Sequence, residues 1–384
     1  MPRRIAHLDM DAFYASVALL RYPELRGRVL VVGGRNIPAP KRRADGTWQY
    51  ARLGDYTGRG VVTTASYEAR AFGVFSAMGL MKAAQLAPHA ILLPADFTAY
   101  RYYSRLFKQA VAQLSNRIEN RGIDEIYIDL TELNQSSHEL AQQLQKAVWE
   151  ATQLTCSIGI SPNKLLSKIA SDLNKPNGFC IIDESDIEAL IWPLPVSKVN
   201  GIGPKSQVKL TQLGIHTIGD IARADPALLQ EVFGLSYAQW LKEVAQGIDH
   251  RPVILSADPK SMSRERTFER DLHVQRDRQT LSAFLERICQ QLEQDLREKA
   301  FRAQTIGIKL RFDDFTILTR DITLEHPVVN SDEILHAARQ NLRRTDIRHR
   351  RLRLVGVRAT KLIAEADCLV FDTTPQQLNL EGMV

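Results

Sequence analysis

No stretch of this sequence approaches the roughly 18 consecutive apolar residues that a membrane-spanning helix needs. The N-terminus runs from Met1-Pro2-Arg3-Arg4 into a strand-like segment, without the apolar region and cleavage site of a signal peptide. Cysteine is scarce. Cys156, Cys180, Cys289 and Cys368 include no CxxC pair, and their spacing fits neither a zinc site nor a short disulfide scaffold. These absences predict a soluble, cytoplasmic protein with reduced thiols and no membrane partner. Glycine (21) and proline (16) are too few for a fibrous or low-complexity chain.

With 384 residues, 44% of them hydrophobic, the chain is long enough for two to four domains, each with its own core. Its net charge of +6 favours a polyanionic partner, either nucleic acid or an acidic membrane surface.

Residues Ile5 to Asp9 read as a buried strand ending at an acid, followed by a helix to about Arg21. Val29 to Val32 is a second strand, closed by Gly33-Gly34. Residues 35–60 hold Pro38, Pro40 and the run Lys41-Arg42-Arg43, and read as a long polar loop or a small hairpin. Strands near 61–64, 126–130 and 156–160 then alternate with helices near 97–118 and 137–152, an α/β or α+β pattern. Short helices punctuated by glycines follow from 199 to 247, and 256–260 reads as a linker. Beyond it, four strands and two helices form a separate α+β module, and 365–384 reads as a mobile tail.

Asp9 ends the first strand and Asp124-Glu125 starts another. Neighbouring central strands would bring these acids to one sheet edge. Phosphoryl transfer from a nucleoside triphosphate needs such convergent carboxylates, because two Mg²⁺ ions about 3.5–4 Å apart neutralise charge and align the reacting atoms. Met10 offers a backbone carbonyl as a further ligand, while a metal role for Asp11 is left open because strand parity lapses past the strand end. Tyr67 and Arg70, three residues apart, share a face if a helix starts there, and Lys175 lies in the turn-prone Asn174-Lys175-Pro176-Asn177-Gly178. These three are the expected triphosphate contacts. Of Phe13 and Tyr14, both placed near the nucleotide, Phe13 is expected to pack in the core and Tyr14 to lie under the sugar, where its ring would meet a 2′-hydroxyl.

The segments His7 to Val17, Thr64 to Val74, Asp124-Glu125-Ile126-Tyr127-Ile128-Asp129 and Ser157 to Gly178 resemble, in this order, four motifs of the Y-family translesion DNA polymerases, in the DNA polymerase IV branch. The resemblance covers nearly the whole chain. It implies an α+β multidomain right-hand polymerase. Palm and fingers would occupy 1–34 and 61–198, with the fingers at about 22–96 including an insertion at 35–60. A helical thumb would span 199–255 and a little finger 261–364. It also implies that Asp9, Asp124 and Glu125 are catalytic, that they hold two Mg²⁺ with the Met10 carbonyl, that Tyr67, Arg70 and Lys175 bind the triphosphate, and that Tyr14 is the steric gate. Gly122 stands where the family pattern has serine, and 35–60 is longer than the usual turn.

Primer–template DNA and dNTP are the implied partners of a monomer without proofreading. Gly201, Gly203 and Lys205 sit in a segment resembling a helix–hairpin–helix, whose backbone amides can approach a phosphate. Between Lys260 and Lys361 there are 22 Lys+Arg against 15 Asp+Glu, a net +7. Within it, Arg343, Arg344, Arg351 and Arg353 are candidate DNA contacts, and alternation toward Arg358 is expected to gather guanidiniums on one sheet face. Gln377, Leu378 and Leu380 resemble a sliding-clamp-binding motif. The alternatives are a catalytically silent DNA-binding scaffold and a palm-type nucleotidyl cyclase.

Overall fold

The computed structural model describes residues 3–367 apart from 35 and 257. The chain divides into two units, Met1–Ser256 and Ala257–Val384.

The first unit begins with β1 (Ile5–Met10), α1 (Phe13–Arg21) and β2 (Leu30–Gly33), then β3 (Lys41–Arg42), β4 (Trp48–Gln49) and β5 (Ala51–Arg52). Next come β6 (Val62–Ala65), α2 (Tyr67–Ala71), α3 (Leu80–Leu86), β7 (Ile91–Leu93) and α4 (Phe97–Ala112). The chain continues through β8 (Ile118–Asn120), β9 (Glu125–Asp129), α5 (Ser137–Thr152), β10 (Cys156–Ser161), α6 (Lys164–Leu173) and β11 (Phe179–Ile181). These strands build a five-stranded sheet, β11-β10-β1-β9-β8, a four-stranded one, β5-β7-β2-β6, and the small hairpin β3-β4.

The five-stranded sheet is covered on both faces, which is why β1 and β10 read as nearly continuous apolar runs. On one face Leu8, Ile126 and Ile158 pack with Phe107 of α4 and with Leu140 and Leu144 of α5. Ser136 and Glu139 start α5 with a capping box. On the other face α6 lies directly on β10. A Cβ on Gly159 would come within 2.0 Å of the Ser167 carbonyl and 2.4 Å of the Ser171 nitrogen, so no larger residue fits there.

Helix α4 stops at Ala112, short of the expected Ile118. Ile118 instead pairs with Ile128 in the edge strand β8, since an apolar residue at helical spacing can equally serve a strand. Of the two forms expected for the 35–60 segment, the hairpin is the one found, as β3 and β4 at 41–49, and β5 then joins the edge of the second sheet beside β7.

Four further helices, α7 (Pro204–Gln212), α8 (Ile218–Arg223), α9 (Pro226–Phe233) and α10 (Leu235–Ala245), share a core with α6. The end of this unit is tied to the five-stranded sheet by a buried ion pair. Lys164 Nζ lies 2.6 Å from Glu119 Oε2, with both side chains at most 7% exposed. The same Glu119 oxygen accepts from the Ile254 amide at 2.8 Å, and Lys164 also donates to the Pro252 carbonyl at 3.2 Å. Such a pair is sustained by these extra hydrogen bonds, which offset part of the desolvation of both charges.

The second unit comprises β12 (Ser261–His273), α11 (Arg278–Glu298), β13 (Phe301–Phe312), β14 (Ile317–Val328), α12 (Ser331–Arg343) and β15 (Arg351–Ala364). Its sheet runs β12-β15-β13-β14. One face packs Ile306, Ile308, Val355 and Val357 against Leu285, Ile288 and Leu292 of α11 and Ala337 of α12. The opposite face is polar.

Plain alternation from Arg351 would send Arg358 to the opposite face, because the two are seven positions apart. A bulge prevents this. Phe312 and Arg311 on β13 pair with Leu352 and Leu354, leaving Arg353 as an extra residue. Leu352 before the bulge and Val355, Val357 and Ala359 after it all face the core. Arg351, Arg353 and Arg358 therefore share the polar face through the bulge, not through alternation alone.

Candidate active site

Strands β1 and β9 run antiparallel with Asp9 opposite Glu125. The Met10 amide donates to the Asp124 carbonyl at 3.0 Å, which fixes the residue before β9 against the end of β1. Asp9, Asp124 and Glu125 thus meet at one end of the covered sheet. Burial pushes the Asp124 carboxyl above the usual carboxylate range, and the charges of Asp9 and Glu125 push it the same way. Gly122 leaves room beside it, since a Cβ there would sit 3.3 Å from Asp124 Oδ1, and its carbonyl accepts from Lys108 Nζ at 2.7 Å.

Lys175 Nζ lies 2.9 Å from Asp9 Oδ1 and 3.2 Å from Asp172 Oδ1. Burial opposes its charge, yet the two acids prevail and its pKa is raised. The turn that carries Lys175 is held by Asp11, which is 2% exposed. Asp11 Oδ2 accepts from the Asn177 amide at 2.8 Å, and Oδ1 accepts from the Ser157 hydroxyl at 2.7 Å. With one bond on each oxygen, Asp11 ties the lysine turn to β10.

Glu125 is held from below. Its Oε2 lies 3.2 Å from His7 Nε2 and accepts from Lys168 Nζ at 2.6 Å. The hydrogen bond from His7 lowers its pKa most. Burial opposes this, Lys168 adds to it, and the value is held down to about 2. His7 is itself fully buried, with Nδ1 2.7 Å from Ser171 Oγ, and burial lowers its pKa against the pull of Glu125.

Ligand atoms of His7, Asp9 and Glu125 lie within 4.8 Å of one another. Both ring nitrogens of His7 are taken up by Ser171 and Glu125, so the hard donors of this cluster are the carboxylates of Asp9 and Glu125, with Asp124 beside them. Hard carboxylate oxygens suit Mg²⁺, and an ion there would relieve the repulsion that raises Asp124. The donor set fits the metal.

Phe13 is 3% exposed and packs its ring near Tyr100 and Phe107, inside the core. Tyr14 is part-exposed and stacks on Tyr100 with centroids 4.2 Å apart. Asp124 lies close enough to add to the rise in its pKa that burial causes. Helix α2 starts at Tyr67, capped by the Ser66 side chain, so Tyr67 and Arg70 do share a face. The Arg70 guanidinium sits 4.7 Å from the Tyr67 ring centre. The Tyr67 hydroxyl is buried with no hydrogen-bond partner, and burial together with Asp11 raises its pKa to about 12. A buried hydroxyl of this kind needs an acceptor, and a phosphate oxygen is one.

Gly201 has φ 114°, and a Cβ there would meet Trp240 at 2.8 Å. Gly203 caps α7, and nothing lies within 4 Å of a Cβ built on it, which leaves the helix start open. Lys205 is exposed in the first turn of α7. In the second unit Arg343 and Arg351 are exposed. Arg344 donates to the Asp321 carbonyl at 3.2 Å, and the Arg353 guanidinium lies 4.5 Å from the Phe315 ring centre. Gln377, Leu378 and Leu380 lie outside the described residues.

Sequence reasoning missed His7, Lys168 and Ser171 as supports of Glu125. The signal was present. His7 shares a strand face with Asp9, two residues on, and Lys164, Lys168 and Ser171 make a polar stripe at helical spacing on a helix that is otherwise buried.

Residues 8–172 match the impB/mucB/samB family, 259–380 match the impB/mucB/samB family C-terminal domain, and 184–215 match the IMS family HHH motif. A DNA polymerase IV of Dehalococcoides mccartyi is 37% identical over 359 residues, covering 92% of this chain and 86% of its own. One from Xanthomonas campestris pv. campestris is 37% identical over 384 residues, covering 98% of this chain and all of its own. A solved Y-family DNA polymerase chimera superposes with a TM-score of 0.79 at 26% identity, over 94% of this chain and 99% of that one. With matches at both ends and relatives aligned along its length, the chain belongs to the impB/mucB/samB family and has the Y-family polymerase fold.

Proposed function

We propose that this protein is a low-fidelity, template-directed translesion DNA polymerase that transfers a nucleotide from dNTP to a primer 3′-hydroxyl. The observation that carries the reading is the placement of Asp9 opposite Glu125, with Asp124 beside them, at one end of the covered sheet. Asp9, Asp124 and Glu125, with the Met10 carbonyl, would hold two Mg²⁺, which supply charge neutralisation and a more nucleophilic 3′-oxygen.

The chain's own residues do the rest. Lys168 and His7 fix Glu125 before any ligand arrives, so little reorganisation remains. Lys175 and Arg70 supply positive charge for the triphosphate, and the Tyr67 hydroxyl donates to it. Tyr14 bars the 2′-hydroxyl while Phe13 holds the start of α1 in the core. Residues 1–34 and 61–198 serve as palm and fingers, 199–255 as thumb and 261–364 as little finger. Gly201, Gly203 and Lys205 grip one phosphate run, and the arginine face of the second unit another. The protein works as a cytoplasmic monomer, and Gln377, Leu378 and Leu380 dock it on a sliding clamp.

Templated primer extension tests the reading. Wild type adds the complementary deoxynucleotide, whereas a cyclase or a silent scaffold adds none. Tyr14→Ala should lower the preference for deoxy- over ribonucleotides by about tenfold or more, the scale of a lost steric contact. Unchanged sugar selection would reduce Tyr14 to a core residue.

A further inference from the structure

Residues 35–60 carry six cations against two acids, a net +4 within a chain whose total is +6. The segment leaves from β2 and returns at β6, immediately before Tyr67 and Arg70. Its tip is a built structure. The turn is closed by the Arg43 amide donating to the Thr47 carbonyl at 2.8 Å, with Gly46 at φ 83°. Asp45 is the acid of the tip, and its Oδ1 accepts from both the amide and the hydroxyl of Thr47, at 2.9 and 2.6 Å.

The base of the hairpin is nailed down by aromatics. Trp48 and Tyr50 both meet Tyr22 edge-on, with centroids 5.3 and 5.7 Å apart, and the Tyr50 hydroxyl donates to Glu24. Tyr22 is buried in the main core. Lys41, Arg42 and Arg43 are all exposed on this anchored tip. Arg42 Nε donates to the Gly46 carbonyl at 3.4 Å, and Arg43 lies within electrostatic reach of Asp45. Among the described residues, no carboxylate forms an ion pair with any of the three.

We propose that this hairpin is a nucleic-acid contact that takes the phosphates of the unpaired template strand. The proposal rests on the polymerase reading. Tyr22 follows the end of α1 and Tyr14 lies in its first turn. Eight residues at 1.5 Å each put the anchor about 12 Å from the gate. At about 3.4 Å per nucleotide on one strand, that is a reach of about three to four nucleotides. The hairpin also springs from the sheet whose strand β6 leads into α2, which carries the Tyr67 and Arg70 that the polymerase reading sets against the incoming triphosphate; on that reading the strand beside it is the one not yet copied. Fixed cations on a rigid tip lose little side-chain freedom beyond their own rotamers when they bind.

The test uses full-length protein and the variant Lys41→Gln/Arg42→Gln/Arg43→Gln, whose three side chains pack against nothing buried. Affinity is measured by fluorescence anisotropy across a salt series, on primer–template with a long 5′ template overhang and on the same duplex with a flush end. On the overhang DNA the variant should bind on the order of tenfold more weakly, and its log–log salt slope should fall by about 2, at about 0.7 per single-strand phosphate. On flush DNA the two proteins should match, and extension at saturating DNA should be unchanged. Equal affinity and slope on both substrates would mean a solvated surface and would overturn the proposal. Equal weakening on both would also overturn it, in favour of a duplex contact. Failure of wild type to extend any primer would instead sink the polymerase reading on which the proposal stands.

Discussion

The sheets of the two units place their charges differently, and burial explains the difference. In the first unit β10 is buried at all six positions and β1 at five of six, because helices cover both faces. Charge is tolerated there either inside a fully paired group such as Lys164–Glu119 or where a strand runs out, and Asp9, Asp124 and Glu125 occupy such an end. In the second unit only one face is covered, and β14 is exposed at most positions. Charges can then recur along the strands, as Lys309, Arg351 and Arg358 do. A covered sheet offers one point at which groups converge, which suits chemistry on a single atom. An open sheet offers an area, which suits a polyanion.

The sharpest way to break this contrast is at the convergent end. Asp124→Ala should lower nucleotide addition by about a thousandfold or more, since several kcal/mol of metal stabilisation would be lost, while duplex affinity changes little. Substantial extension by this variant would show that the end of the sheet is not where chemistry happens.

Ion pairs compare the two environments directly. Glu119→Ala strands Lys164 in the interior and should cost about 3–5 kcal/mol in urea unfolding. Glu265→Ala breaks a pair of similar length, 2.9 Å to Lys309, but on the open face. It should cost at most about 1 kcal/mol. Equal costs would mean that the faces do not differ in dielectric character.

Acid titration gives a smaller effect. The folded Glu125 pKa, about 2, lies below its ordinary value of about 4.3, so its stabilising contribution is complete above the ordinary value and is lost as pH falls toward 2. Unfolding midpoints followed from pH 6 to pH 2 should therefore decline less steeply in Glu125→Gln than in wild type. Identical curves would mean that His7 and Lys168 do not hold the carboxylate.

The gentlest change is expected on the open face. Arg351→Ala should weaken DNA binding only a few-fold, at every sequence alike, and reduce the salt slope by about 1. Loss of binding from this single change would make the face a specific pocket rather than a shared surface.

The convergent end was the most legible part of the sequence. Asp9 and Asp124-Glu125 sit at strand ends, and strand ends can be read from apolar runs. Asp11 could not be assigned, because it lies beyond the strand, where alternation no longer predicts direction. Its role depends on Asn177 and Ser157, distant in sequence. Lys168 was readable only as part of the polar stripe on α6, not with its partner, since Glu125 lies 43 residues away. The limit of α4 was misplaced because Ile118 fits either period. The hairpin at 41–49 was foreseen as one of two forms, but its attachment was not, because the partner of Trp48 and Tyr50 is Tyr22, on the far side of β2.

The extra residue at Arg353 bears on how chain length can vary in this fold. Insertions are usually sought in loops, where added residues disturb no pairing. Here one surplus residue sits inside a strand, and relative to β13 the chain on either side of it keeps its facing. Removing Arg353 would join two stretches that already agree about inside and outside, at the loss of one guanidinium. Removing Gly356 instead, beyond the bulge, would put Val355 and Val357 next to each other and shift the hydrophobic residues that follow. A gap in an alignment at this point would therefore record the gain or loss of a single guanidinium, not a break in the sheet.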